Sequence, residues 1–287
     1  MLIDTHAHLN FAAYKDDLDE VVGRIQQEEM KVINVGSQLS TSQRAIELAE
    51  KYSTNFYVAI GLHPIHLFAT EVDESEIPFH SRQEDFSTEK YQKLAESPRV
   101  VAIGEMGIDY FHVPAGIKKE DFEHKQKWTF IKGIQLAKKL NLPMILHCRG
   151  AINEIAKAYD DMLEVLKQEN YNKAVVHCFS ADWPVAKKFL DEGFMISFTG
   201  IITYPKTKDL EKVVKKTPMN KLMVETDAPY LKPRNLRPRV KSHRNEPRWL
   251  PWIVGTLAAA RGEHPDYVAE RTTENARAFF RLPALQP

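Results

Sequence analysis

Two histidines near the start of the chain, His6 and His8, are separated by one residue within DTHAHL. Residues two apart on a strand point to the same side, so both imidazoles can face one point. Imidazole nitrogens are common ligands of divalent cations. By itself the pair is weak evidence, since exposed or core histidine pairs are more frequent than metal sites.

Four further apolar runs end near a histidine or a carboxylate, and these residues are Glu105, His147, His177 and Asp227. If the runs are parallel strands of one barrel, their C-terminal ends meet on the same face. Buried charge without a partner is unfavourable, so this convergence predicts bound cations. Two cations fit the donor set: one held by His6, His8 and Asp227, the other by His147 and His177, with Glu105 as a bridge.

Paired cations of this kind can promote a phosphoryl displacement. Separated by roughly 3.5 to 4 Å, two cations lower the pKa of a bridging water and hold the attacking and leaving oxygens of the phosphoryl group. Asp227 is both a ligand and a proton acceptor, so we interpret it as the general base.

The strands that would position these residues are short apolar runs separated by amphipathic stretches. Eight runs are strand-like: Leu2–Asp4, Val32–Val35, Phe56–Ile60, Val100–Gly104, Met144–His147, Ala174–His177, Phe194–Phe198 and Leu222–Glu225. Between them the spacing predicts helices over Asp17–Met30, Thr41–Tyr52, Lys119–Leu140, Ile152–Gln168, Trp183–Glu192 and Lys206–Lys216. Eight strands that alternate with helices predict a (β/α)8 TIM barrel, an α/β fold.

We expect residues 1–287 to form one barrel domain. Long connections follow the third strand, from Gly61 to Thr88, and the eighth strand, from Ala228 to Glu246. The segment WLPWIVGTLAAA is apolar throughout, so we expect it to be the helix that follows the eighth strand and to pack in the core. The tail from Pro265 to Phe280 is expected to be an additional C-terminal helix that packs outside the barrel.

Composition and charge set limits on the class of protein. The chain is 43% hydrophobic and 27% charged, which is ordinary for a globular protein, and it carries no apolar run long enough to cross a membrane. Only two cysteines occur, Cys148 and Cys178. Together with the absence of a signal-like N-terminus, they predict a cytoplasmic protein.

The distribution of charge is uneven although the net charge is 0. From Leu231 to Arg248 the chain carries seven basic residues and one acidic residue. Three arginines of this segment are candidate contacts for the phosphates of DNA, because a guanidinium binds phosphate through two hydrogen bonds: Arg237, Arg239 and Arg244.

The motifs in combination resemble those of the TatD family of metal-dependent hydrolases over nearly the whole chain. They are DTHAHL, GLHP, GEMGIDY, LPMILHCR, HCFS, ETDAPYL and RNEP. The resemblance implies the ligand set given above and a deoxyribonuclease activity, often 3′ to 5′ exonucleolytic, with DNA as substrate. It also implies that His63 and Arg149 contact substrate phosphates.

Two departures from the family pattern concern the substrate rather than the ligands. Gly150 follows Arg149, where the family usually has an acidic residue, and the loop before RNEP reads KSH, where a glycine is usual.

One alternative function is hydrolysis of a small amide, lactone or ester, because similar barrels host several chemistries. A second is a metal-binding protein without catalysis, although no ligand is missing. The metal could be zinc, magnesium or manganese, and the oligomeric state is open.

Overall fold

The protein is described by a computed structural model that covers residues 1–52, 55–69, 71–72, 79–80, 82–205, 208–236 and 243–283. Arg237 and Arg239, two of the predicted phosphate contacts, lie outside these ranges. Within the described ranges, no helix is both long and apolar enough to span a membrane.

Eight parallel strands form one sheet in sequence order, which confirms the predicted barrel. The strands are β1 (Ile3–Ala7), β2 (Lys31–Val35), β3 (Phe56–Ile60), β4 (Val100–Asp109), β5 (Met144–Arg149), β6 (Ala174–Val176), β7 (Met195–Phe198) and β8 (Leu222–Val224). A parallel bridge between Ala7 and Ala228 joins the last strand to the first. The C-terminal ends of all eight strands therefore surround one mouth.

Nine helices occur in the described residues: α1 (Leu18–Gln27), α2 (Leu39–Lys51), α3 (Thr88–Leu94), α4 (Lys119–Leu140), α5 (Ile155–Gln168), α6 (Trp183–Asp191), α7 (Lys208–Lys216), α8 (Leu250–Arg261) and α9 (Pro265–Phe279). Eight of them follow the eight strands in turn, as in a (β/α)8 barrel. The seven-residue helix α3 was not predicted, because so short a segment shows little helical periodicity.

The core has an inner and an outer part. Inside the barrel, every strand contributes to one buried cluster, with side chains such as Ile3, Ile145 and Met223. Ala276 and Phe280, in and just after α9, belong to the same cluster. The additional C-terminal helix therefore packs against the end of the barrel opposite the mouth. There it contacts side chains that point into the barrel near the N-termini of the strands.

The fourth strand differs from its prediction in length. It was expected to end at Gly104, but it continues to Asp109, since Gly107 pairs with His147 and Asp109 with Arg149. The β4–β5 register shifts between Ile103 and Met106. Such bulges redirect side chains and are frequent beside active sites. Glu105 lies inside this irregular stretch, so the bulge determines its direction.

Candidate metal centre

Two histidines at the C-terminal end of the first strand, His6 within β1 and His8 just after it, face each other at the barrel mouth. The Nε2 atoms of His6 and His8 lie 3.1 Å apart, and both rings are buried. Nδ1 of His8 lies 2.8 Å from the carbonyl oxygen of Val35. A carbonyl can only accept, so Nδ1 carries the proton and Nε2 keeps a lone pair for a cation.

Glu105 lies between two groups of histidines. Its Oε2 atom is 3.4 Å from Nε2 of His6, whereas Oε1 is 2.8 Å from Nδ1 of His147 and 2.8 Å from Nε2 of His177. The carboxylate is buried, with 4% of the residue exposed. The two oxygens therefore face different histidines, and potential ligand atoms of His6, Glu105 and His177 lie within 4.8 Å of one another.

The backbone next to Glu105 has no room for a side chain. A Cβ atom on Gly104 would lie 2.7 Å from the carbonyl oxygen of Ile145, and the φ of Gly104 is +155°. Glycine is the residue that tolerates both this approach and this backbone conformation. Gly104 therefore lets β4 approach β5 closely at the point where Glu105 turns into the mouth.

Asp227 lies beside His6 and His8. Its Oδ1 atom is 3.6 Å from Nε2 of His6 and 3.4 Å from Nε2 of His8. The backbone N–H of Asp227 donates a 2.9 Å hydrogen bond to the carbonyl oxygen of His6, at a left-handed φ of +55°. Aspartate is among the residues that tolerate this region best. The bond fixes the segment after β8 against β1.

The histidines of the second group are held by carboxylates behind them. Nε2 of His147 is 3.1 Å from Oδ2 of Asp109, and Nδ1 of His177 is 3.2 Å from Oε1 of Glu225. In both rings the opposite nitrogen faces Glu105. A carboxylate behind a histidine fixes the tautomer and raises the basicity of the ligating nitrogen.

Sequence reasoning did not single out Glu225, although it stands directly after β8 in the ETD motif. Besides facing His177, its carboxylate accepts hydrogen bonds from the backbone N–H of Cys178 at 2.6 Å and from Oγ1 of Thr5 at 3.2 Å. The residue is 1% exposed. It orients His177 rather than adding a donor to the cluster.

The donor atoms have the spacing that a divalent cation requires. Ligand atoms about 2.0 to 2.2 Å from one zinc-like ion lie roughly 3 to 3.6 Å from one another. The donor pairs among His6, His8 and Asp227 span 3.1 to 3.6 Å. Nitrogen and oxygen donors together suit borderline cations such as zinc and manganese. The residues present therefore fit a cation.

Electrostatics agree with that fit. Burial raises the pKa of Glu105, but His177, His63 and His6 outweigh burial and hold that pKa well below its usual range. Burial lowers the pKa of His177, yet Glu105 and Glu225 outweigh it and raise that pKa well above normal. The carboxylates thus favour positive charge on the neighbouring histidines, and binding of a cation would release the protons that carry it.

His63 differs from the other histidines of the mouth. Its Nδ1 accepts a hydrogen bond of 3.0 Å from the backbone N–H of Ile65, so the proton of the neutral ring is on Nε2. Burial holds the pKa of His63 well below normal. Nε2 lies 3.5 Å from Oε1 of Glu105. The ring therefore presents a donor, not a lone pair, toward the cluster.

A cavity of about 640 Å³ includes the ligand cluster and is lined by His63, Arg149, Arg44 and Arg82 among others. The guanidinium carbon of Arg149 lies 3.8 Å from the ring centroid of Phe111, and Phe111 is 39% exposed. The cavity thus combines the donor cluster with cationic side chains, and an exposed aromatic ring packs against one of those side chains.

Arg244 does not itself line this cavity, although it contacts Ala13, which does. Its guanidinium makes two hydrogen bonds to the carboxylate of Asp17, of 2.7 and 2.5 Å, and donates a third of 2.8 Å to the carbonyl oxygen of Ala13. It also lies 4.4 Å from the ring of Tyr14. These contacts join the segment after β8 to the segment before α1 and give Arg244 a structural role.

Gly150 departs from the family pattern for a reason visible in the backbone. A Cβ atom at this position would lie 2.2 Å from the carbonyl oxygen of Ile155 and 2.4 Å from its Cα. An acidic side chain therefore does not fit unless the start of α5 moves. Ile155, the first residue of α5, packs onto Gly150 instead.

An eight-stranded parallel barrel with histidines and carboxylates converging at its mouth defines a metal-dependent hydrolase. A family model described as TatD related DNase matches residues 3–281, and the chain belongs to this family. The uncharacterized metal-dependent hydrolase YabD of Bacillus subtilis is 34% identical over 98% of this chain and 100% of its own. The 3′-5′ ssDNA/RNA exonuclease TatD of Erwinia amylovora is 33% identical, and the match covers 98% of this chain and 100% of the exonuclease.

A solved structure agrees with these sequence relationships. The TatD homologue YJJV of Escherichia coli superposes with a TM-score of 0.80 at 28% identity, and the match covers 98% of each chain. The family and the fold that the sequence motifs predicted are thereby confirmed.

Proposed function

We propose that the protein hydrolyses phosphodiester bonds of single-stranded nucleic acid from the 3′ end, with two divalent cations at the barrel mouth. Family membership and the exonucleases among its relatives support this activity. The observation that carries the proposal is the position of Glu105, whose Oε2 faces His6 and whose Oε1 faces His177.

Each group has a role in this proposal. His6, His8 and Asp227 would hold one cation, His147 and His177 would hold the other, and Glu105 would contribute a carboxylate oxygen to each. Bound cations would supply Lewis-acid polarisation of the phosphodiester and a nucleophile at neutral pH. The side chain of Asp227 is 14% exposed and lines the cavity, so its carboxylate can accept a proton from the attacking water.

The substrate is held by residues farther out in the cavity. Nε2–H of His63 donates to a non-bridging phosphate oxygen, and the guanidinium of Arg149 binds a phosphate. The exposed ring of Phe111, stacked on Arg149, offers a surface for an unpaired base. Bases are available for such stacking in a single strand and are paired inside a duplex, which favours single-stranded substrates.

The basic segment after β8 has a more limited role than the sequence indicated. Arg244 is engaged by Asp17. A contact of Arg237 and Arg239 with substrate phosphates stays a prediction from the sequence. A cytoplasmic location also stays a prediction, and the two free cysteines are compatible with a reducing compartment.

The alternative of a small amide, lactone or ester substrate makes a different demand on the cavity. A small neutral substrate needs no cationic side chains away from the donor cluster. Here Arg44, Arg82 and Arg149 line the same cavity as the cluster. This distribution of charge favours a polyanion that extends beyond the cleaved bond.

The test uses purified protein with oligonucleotides labelled at the 5′ or the 3′ end, as single-stranded DNA, single-stranded RNA and duplex DNA. Reactions contain Mg²⁺, Mn²⁺ or Zn²⁺, with EDTA-treated protein and Glu105→Gln as controls. We expect single nucleotides released from 3′ ends of single strands, and only with a cation. Equal cleavage by metal-free protein, or cleavage of an aryl ester or lactone without cleavage of any oligonucleotide, would contradict the proposal.

A further inference from the structure

Asp109, at the end of β4, is a buried carboxylate that touches a histidine of the cluster without facing the cluster centre. It is 1% exposed. Its Oδ2 atom lies 3.1 Å from Nε2 of His147 and 2.8 Å from Nδ1 of His112. Its Oδ1 atom accepts hydrogen bonds of 2.9 and 3.0 Å from the backbone N–H groups of Phe111 and His112. Four donors thus surround one carboxylate.

The backbone of Asp109 is fixed as well. Gln126, on α4, accepts a 2.7 Å hydrogen bond from the N–H of Asp109 and donates a 2.7 Å bond to its carbonyl oxygen. Gln126 is 1% exposed. A buried amide that pairs with both backbone groups leaves the carboxylate little freedom to turn away from His147.

Two interpretations of this arrangement are possible. His63, Asp109 and His147 bring three potential ligand atoms within 4.8 Å, which suggests a further cation site. The hydrogen bonds oppose that interpretation. Nδ1 of His147 faces Glu105 and Nε2 faces Asp109. A cation beside Glu105 and a further cation beside Asp109 would therefore require His147 to lose the protons of both ring nitrogens. In addition, His63 presents N–H rather than a lone pair, since its Nδ1 accepts from Ile65.

We propose that Asp109 is a positioning residue that keeps the proton of His147 on Nε2 and thereby directs the lone pair of Nδ1 toward the site bridged by Glu105. The same carboxylate, through Oδ1, fixes the backbone of Phe111 and His112. One side chain thus links a cation ligand to the loop that carries the stacked aromatic ring. This inference rests on the proposed cation site but not on the choice of substrate.

Asp109→Asn tests this role, because the amide has nearly the same shape as the carboxylate. Its oxygen can still accept from the backbone of Phe111 and His112, while its NH₂ group faces His147. Nε2 must then accept, so the ring proton moves to Nδ1, the wrong nitrogen for a ligand. We expect binding of one of two Mn²⁺ ions to weaken by about 10- to 100-fold in isothermal titration calorimetry, with unchanged circular dichroism.

The matched control is Asp161→Asn on α5, which replaces by an amide a carboxylate whose side chain is 16% exposed and which contacts Tyr110, the residue after Asp109. Asp161 accepts from Tyr110 and Lys157 and makes no described contact with the donor cluster. Its Mn²⁺ affinities should equal those of the wild type. Equal affinities in Asp109→Asn would overturn the inference and leave the cation site intact. Absence of Mn²⁺ binding by the wild type would overturn the cation site and this inference together.

A measurement on the wild-type protein does not depend on the folding of any variant. Nitrogen-15 spectra of the Zn²⁺-loaded protein, labelled at histidine, report which ring nitrogen of His147 carries the proton. The inference requires Nε2–H. A proton on Nδ1, or cation coordination through both nitrogens of His147, would overturn it, and the second outcome would establish the additional cation site instead.

Discussion

Nε2 of His177 lies 2.8 Å from Oε1 of Glu105, in a contact where both residues are about 95% buried. The other oxygen of the same carboxylate faces His6. Removing the charge of Glu105 while keeping its shape should therefore affect both groups of donors at once. Few side chains of the mouth offer so direct a test of the two-cation arrangement.

Glu105→Gln should bind fewer cations and lose most of its activity. The amide keeps one oxygen but presents an NH₂ group to a histidine nitrogen that must carry a lone pair. We expect metal content after dialysis to fall below that of the wild type and the hydrolysis rate to fall by about 10²-fold or more. Elemental analysis and oligonucleotide cleavage give the two readouts. Wild-type metal content together with a wild-type rate would refute the bridging role.

Asp227→Asn should separate the role of base from that of ligand. Asparagine retains an oxygen for the cation but cannot accept a proton, so the rate should fall by about 10² to 10⁴-fold while cations remain bound. The metal content of the variant is the internal control. If cleavage proceeds at the wild-type rate with both cations present, another group is the base.

Arg244→Ala should lower stability and leave KM for oligonucleotides unchanged, because the guanidinium is engaged by Asp17 and Ala13. Loss of charge-assisted hydrogen bonds predicts roughly 1 to 3 kcal/mol of destabilisation. Arg234→Ala, from the same basic segment, is the control, since Arg234 is exposed and stacks on Tyr204. A several-fold higher KM without a change in melting temperature would restore the role of Arg244 in substrate binding.

The destabilisation caused by Arg244→Ala should depend on pH, because the pKa of Asp17 is lowered in the folded protein. The hydrogen bonds from Arg244 lower the pKa of the Asp17 carboxyl below its usual value. A depressed folded-state pKa contributes stability above the unfolded value of about 3.9 and loses it as pH falls through the folded value. Denaturant titrations should therefore show the largest difference between wild type and Arg244→Ala near neutral pH. The difference should shrink below about pH 4.

The convergence of the six predicted ligand residues at the mouth was predictable because their positions follow from general rules. Strand periodicity places His6 and His8 on one side, and the parallel barrel brings strand ends to one mouth. Asp109 and Glu225 were harder to recognise, because a carboxylate behind a histidine is defined by the direction of hydrogen bonds rather than by sequence spacing. Glu225 pairs with His177 across 48 residues.

The differences in the fold have a similar origin. The prediction ended β4 at Gly104, since glycine usually interrupts a strand, whereas here a glycine permits close approach to Ile145. Arg244 was interpreted as a phosphate contact because it belongs to a basic segment. Its partner Asp17 lies 227 residues away in sequence, so composition alone could not identify the pair.

Phe111→Ala should raise KM for single-stranded oligonucleotides and leave the hydrolysis of a small chromogenic phosphodiester unchanged. Stacking of one base on an aromatic ring contributes about 1 to 3 kcal/mol, which corresponds to roughly a 5- to 100-fold change in binding. Trp128→Ala is the matched control, because Trp128 is also exposed and pairs with a cationic side chain, Lys132, but lies on α4. Its KM should stay at the wild-type value.

The comparison of substrates makes the outcome of this last prediction specific. An abasic oligonucleotide keeps its phosphates and loses the bases, so wild type should bind it about as weakly as Phe111→Ala binds the normal strand. Arg149, which stacks on Phe111, should remain able to bind phosphate in both cases. If Phe111→Ala lowers affinity for normal and abasic strands equally, the ring supports Arg149 and does not bind a base. If neither affinity changes, the substrate does not pass over this loop.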